Sequence, residues 1–98
     1  MPVRITAEDL HDHLKARMAQ RGIIAEEVEQ ALNEGWEATD AKQGTLGKVK
    51  IFPYMGDWEG KFYGEKEVSV YYKMVEGALV LLTVKARYGQ GFPRRGMP

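Results

Sequence analysis

The feature that most constrains this chain is a change of hydrophobic period at Gly35. Before it, apolar residues recur at helical spacing: Leu10, Leu14 and Met18, then Val28, Ala31 and Leu32. After it they alternate: Val49 and Ile51, then Val68, Val70 and Tyr72, then Val80, Leu82, Val84 and Ala86. A period of 3.6 presents one helix face to a core, and a period of two presents one face of a strand. Helices followed by strands give an α+β domain, with two N-terminal helices packed on one face of a three- to four-stranded antiparallel sheet.

The punctuation predicts the bounds. Thr6 reads as an N-cap with Glu8 and Asp9 in the first turn, and Gly22 reads as a stop, so the first helix is expected over 6–21. The second is expected over 25–34, with Ile24 at the cap position and Gly35 closing it. Short strands are expected over 36–39 and 48–54, with Pro53 near a sheet edge. Residues 55–64 read as irregular. Strands over 67–73 and 79–88 are joined by the tight turn Glu76-Gly77. The 98 residues make one domain, with 93–98 as a basic tail.

Composition removes several classes. The chain has no cysteine, which excludes disulfides, thiolate metal sites and a cysteine nucleophile. Met1 to Lys15 has no signal-like apolar core, and the longest apolar run, 78–82, is too short to span a bilayer. A cytoplasmic protein without membrane contact is expected. His11 and His13, two apart on a helix, would point away from each other, so no metal is expected, and nothing calls for a cofactor. Gly44-Thr45-Leu46-Gly47-Lys48 lacks the spacing of a phosphate loop and reads as a turn. The serine and threonines sit in no nucleophile elbow.

The formal net charge of zero conceals a division. Residues 1–47 hold five Lys/Arg against nine Asp/Glu, and the remainder hold nine against five. If the valine-rich strand faces are buried, Lys48, Lys50, Tyr71, Lys73, Thr83, Lys85 and Arg87 converge on the opposite face. Fixed cations suit phosphates, and cleavage of RNA would also need a proton acceptor for the 2′-hydroxyl. Tyr71, Lys85, Arg87 and His13 are of the required types and form the candidate catalytic set. Arg17 and Arg21 fall within the apolar stripe of the first helix. A guanidinium there must snorkel, pair with an acid or serve a site, and pairing with a carboxylate is expected of one so central. Trp58 and Tyr63 either pin their loop to the sheet, close the core or a dimer seam, or form a lid or base-stacking platform beside Lys66.

Three segments carry a resemblance. His13-x3-Arg17-Met18-x2-Arg21-Gly22 with Glu26-Glu27-Val28 and Gly35, Trp58-x-Gly60-Lys61-x-Tyr63-x2-Lys66-x-Val68, and Leu82-Thr83-Val84-x-Ala86-Arg87-Tyr88 resemble a family of small bacterial proteins of unknown function. That family's layout is similar to RelE-like and BrnT-like ribonuclease toxins. The resemblance implies an RNA-directed, toxin-like domain, either a metal-independent endoribonuclease or an RNA binder, with Arg17, Arg21, Trp58, Tyr63 and Lys66 as ligand-binding positions. Any inhibitor would be a separate antitoxin-like protein. The alternative from a different class is a non-catalytic protein-interaction domain, including a homodimer.

Overall fold

The computed structural model describes residues 3–93. Its elements are α1 (Asp12–Arg21), α2 (Ala25–Glu34), β1 (Trp36–Glu37), β2 (Leu46–Trp58), β3 (Lys61–Val75) and β4 (Ala78–Gly89). The strands form one antiparallel sheet in the order β1-β2-β3-β4, and both helices lie on one of its faces. The fold is α+β, with two helices preceding a four-stranded antiparallel sheet. Among the described residues no helix is long and apolar enough to cross a membrane. The expected tail lies, beyond Pro93, outside the described residues.

Helix α1 starts six residues later than Thr6 predicts. Thr6 instead closes a separate turn, its N–H donating to Asp9 Oδ2 at 2.9 Å. His11 is the cap: Leu14 N–H donates to its Nδ1 at 3.3 Å, while its Nε2 lies 3.0 Å from Leu81 O. With Nδ1 accepting, Nε2 carries the proton and ties α1 to β4. Because His11 precedes the helix in extended backbone, its ring stacks beside that of His13 at 6.1 Å instead of pointing away. Gly22 ends α1 at φ +68°, where a Cβ would stand 2.5 Å from the Trp58 ring. Helix α2 spans its predicted residues; Ile24 offers no side-chain cap, and Glu27 Oε1 accepts the Ile24 N–H at 3.1 Å.

The sheet is more regular than its glycines suggest. The segment over 55–64, expected to be irregular, is the end of one strand, a Glu59-Gly60 turn and the start of the next. Both hairpin turns, Glu59-Gly60 and Glu76-Gly77, have positive φ at both positions, which suits the right-handed twist of the strands. Pro53 lies beyond the two β1–β2 pairs, where among the described residues no strand pairs with the outer side of β2.

The core contains Leu14, Met18, Ile23, Val28, Ala31 and Leu32 against Phe52, Val68, Val70, Leu81 and Val84. Two register expectations are corrected. On β2, Lys48, Lys50 and Phe52 pair with Val70, Val68 and Lys66, so it is they that share the helix side. Lys50 reaches Glu34 of α2 at 3.3 Å. Val49 and Ile51 are buried on the other face, opposite Ser69 and Glu67. On β4, Tyr71 pairs with Thr83 but Tyr72 pairs with Leu81, so Leu82 is a one-residue bulge. The bulge reverses alternation: Leu81 is buried in place of Leu82, and Val80 is 37% exposed.

Candidate nucleic-acid interface

The face of the sheet away from the helices carries a cleft of about 480 Å³. Its wall is Trp36 to Asp40, and its floor includes Val49, Ser69 and Tyr71. Trp36 stands here because it pairs with Val49 and so shares its face. Gly47 lets the wall come close, since a Cβ there would meet Ala38 Cβ at 2.8 Å and the Tyr71 ring at 3.1 Å. A second hollow of about 460 Å³ continues past Tyr71 and is lined by Lys42, Thr45, Leu82 and Thr83.

Tyr71, Lys85 and Arg87 are brought together in this cleft. The Tyr71 hydroxyl donates to Asp40 Oδ1 at 2.8 Å. Lys85 Nζ lies 3.6 Å from Asp40 Oδ2 and 5.1 Å from the Tyr71 ring centre. Arg87 forms a two-pronged pair with Glu67, Nε to Oε1 at 2.7 Å and Nη2 to Oε2 at 3.1 Å. Burial, reinforced by the Asp40 bond, pushes the Tyr71 hydroxyl up to about 12. The same hydrogen bond, aided by Lys85, holds Asp40 below its usual range. The bond and charge of Glu67 raise Arg87.

Chemically, this set presents two cations, each already paired with one carboxylate. The Lys85–Asp40 pair is exposed on both sides, and such pairs contribute about 0–1 kcal/mol, so Lys85 exchanges its carboxylate for a phosphate at little cost. Its proton acceptors among the described lining residues are the carboxylates of Asp40 and Glu67, already engaged by Tyr71 and Lys85 and by Arg87. A tyrosine that ionises near 12 keeps its proton at neutral pH and serves as a donor.

His13 is not part of the cleft. It lies in the first turn of α1, in the helical layer across the sheet. Lys48 and Lys50 are likewise on the helix side. Arg17 and Arg21 are half-buried, and each donates from Nη1 to Gln20 Oε1, at 3.2 and 3.5 Å. The expected carboxylate is replaced by an amide one turn away, and the heads reach the surface.

Lys66 is 3% exposed. Its ammonium donates to Gly22 O and to Glu27 Oε1, the latter at 2.7 Å, and lies 5.8 and 5.7 Å from the Tyr54 and Tyr88 ring centres. With two of its three donors used inside the fold and its side chain enclosed, Lys66 does not present its charge to a surface phosphate. Trp58 stacks on Tyr88 at 4.7 Å, Tyr63 tilts against the same ring at 5.8 Å, and Tyr88 donates to Arg21 O at 2.6 Å. Burial lifts the Tyr88 hydroxyl to about 12, with Tyr54 and Glu27 adding to it. This aromatic group clamps the α1–α2 turn to the sheet; the loop that Trp58 and Tyr63 were expected to pin is itself the β2–β3 hairpin.

Trp36, Asp40, Lys42 and Glu67 belong to the site without having been singled out in the sequence. Asp40 meets Tyr71 across 31 residues, and no local pattern signals such a contact. No protein-family model, curated protein or solved structure matches the chain.

Proposed function

We propose that this chain is a toxin-like, RNA-directed domain that binds single-stranded RNA on the helix-free face and does not cleave it. The observation that carries the reading is the convergence of Tyr71, Lys85 and Arg87 around one open cleft walled by Trp36. Lys85 and Arg87 supply fixed charge to successive phosphates, and Trp36 offers a base a ring to stack on. Lys42 extends the cationic lining into the second hollow.

Binding without cleavage follows from where the proton acceptors are. In-line attack by a 2′-hydroxyl needs a base that titrates near the working pH. Tyr71, its hydroxyl pushed up to about 12, keeps its proton at neutral pH, and His13 lies in the other layer. The carboxylates of Asp40 and Glu67 are committed to Tyr71, Lys85 and Arg87, and the cations hold a phosphate without taking a proton.

The test is fluorescence anisotropy with a labelled, mixed-sequence single-stranded RNA in chelator at low salt, followed by gel analysis of the same RNA. Binding is expected, weakened several-fold by Lys85→Ala and by Arg87→Ala, with Lys61→Ala at the far hairpin unchanged. The RNA is expected to stay intact. Absence of binding, or binding that ignores both substitutions, rejects the site. Cleavage that survives chelation rejects the non-catalytic assignment.

A further inference from the structure

Strand β4 is a long edge strand. Among the described residues it pairs with β3 on one side and with no strand on the other. One position of that edge is occupied, because Leu81 O faces His11 Nε2 at 3.0 Å, and the Leu82 bulge interrupts the ladder beside it. Beyond the bulge, Thr83 to Gly89 runs in continuous register with β3. Such an edge is a template for another strand.

The side chains say what kind of strand fits. Over its whole length β4 contains Lys85 and Arg87 and no acid. These two stand on the helix-free face and alternate with Val84 and Ala86, which face the helices. Their carboxylate partners lie inward, Glu67 on β3 and Asp40 bonded to Tyr71 of β3, and Arg87 also lies 4.9 Å from the Phe92 ring centre. Lys85 is 58% and Arg87 65% exposed at the side chain. A second copy is a poor occupant: antiparallel pairing of β4 with itself about Ala86 sets Lys85 opposite Arg87, and a shift of the centre to Lys85 sets it opposite itself. Like charges directly opposite destabilise a pair.

We propose that the Thr83–Gly89 edge accepts, by strand addition, an acidic segment of a protein partner in which acids alternate with apolar residues. The acids lie against Lys85 and Arg87 on the helix-free face, and the apolar residues continue the Val84–Ala86 row on the helix side. Backbone bonds to the edge supply affinity, and the charge pattern sets the register. The same cations serve the RNA cleft, so such a partner also competes with RNA there; the strand addition itself does not depend on the RNA reading.

The experiment uses the full chain and three synthetic peptides: one alternating Glu with Val, one with Lys in place of Glu, and the acidic peptide N-methylated at every second residue. Anisotropy reads affinity, and hydrogen-exchange mass spectrometry reads the location. The acidic peptide is expected to bind and to slow exchange within 83–89. Affinity is expected to fall about tenfold or more for the lysine peptide, for the N-methylated peptide and for the Lys85→Gln/Arg87→Gln protein. Equal binding of the acidic and lysine peptides, retained binding after N-methylation, protection confined to other strands, or no binding of the acidic peptide each overturns the proposal. Because the peptides differ while the protein stays wild type, misfolding of a variant cannot mimic the result.

Discussion

Two cations of similar appearance in the sequence have opposite fates. Lys66 is enclosed and bonded to Glu27, whereas Arg17 reaches the surface beside Gln20. Removing one member of an enclosed pair strands the other, at a cost of about 3 kcal/mol. Lys66→Met is therefore expected to lower stability by about that amount in urea unfolding. Arg17→Met keeps the packed stem and is expected to change stability by less than about 0.5 kcal/mol. The tyrosines add a pH dependence whose sign is fixed. Tyr71 and Tyr88 titrate near 12 in the fold against about 10 when unfolded. Above pH about 10 the unfolded chain releases protons that the folded chain retains, so stability is fully present below that pH and is lost as pH rises toward 12. The melting temperature should drop over this alkaline window, and the drop should become shallower in Tyr71→Phe and in Tyr88→Phe. An equally steep drop in both variants would assign the alkaline loss to other groups.

At the level of elements, the hairpins show where local sequence is at odds with local geometry. Glu59 and Glu76 adopt φ of +51° and +50° in turns that prefer Asn or Gly at that position. Glu59→Asn and Glu76→Asn are each expected to stabilise the protein by about 0.5–1 kcal/mol, read as a rise in the urea midpoint at unchanged slope. Gly22→Ala should do the reverse, because it places a methyl against Trp58 at positive φ. How far the fold was legible follows from the same physics. The period change at Gly35 exposed the layer order, and Glu76-Gly77 marked one hairpin. The faces of β3 were readable because Val68 and Val70 are the only apolar choice at their alternation. On β2, apolar Val49 and Ile51 compete with Phe52, and burial on both faces leaves the pattern ambiguous. The Leu82 bulge was invisible because every residue from Leu79 to Leu82 is apolar, so a one-residue slip leaves no trace in composition. Of the site, only the β3–β4 half was readable; Trp36 and Asp40 arrive through the wall of the cleft, a long-range arrangement.

For the molecule as a whole, the division of charge between the two halves of the chain is largely cancelled in space. Basic β4 is paired with acids from β3 and from the loop after β1, and Lys50 and Lys66 are turned to the acids of α2. Of the seven basic and hydroxyl groups that alternation alone would gather on the helix-free face, Lys48 and Lys50 lie on the helix side, and Lys85 and Arg87 are the two cations lining the cleft. This bounds the electrostatics of binding. Each phosphate neutralised releases about 0.7 of a counterion from a single strand, so two contacts give a slope of log affinity against log salt of about −1.4. Arg87→Ala should bring the slope to about −0.7, and Lys85→Ala should do the same, whereas Trp36→Ala should weaken binding without changing it, since stacking releases no ions. Anisotropy titrations over a range of salt separate these terms. A wild-type slope of −4 or steeper would mean that the RNA tracks over cations beyond Lys85 and Arg87, and the binding face would have to be redrawn.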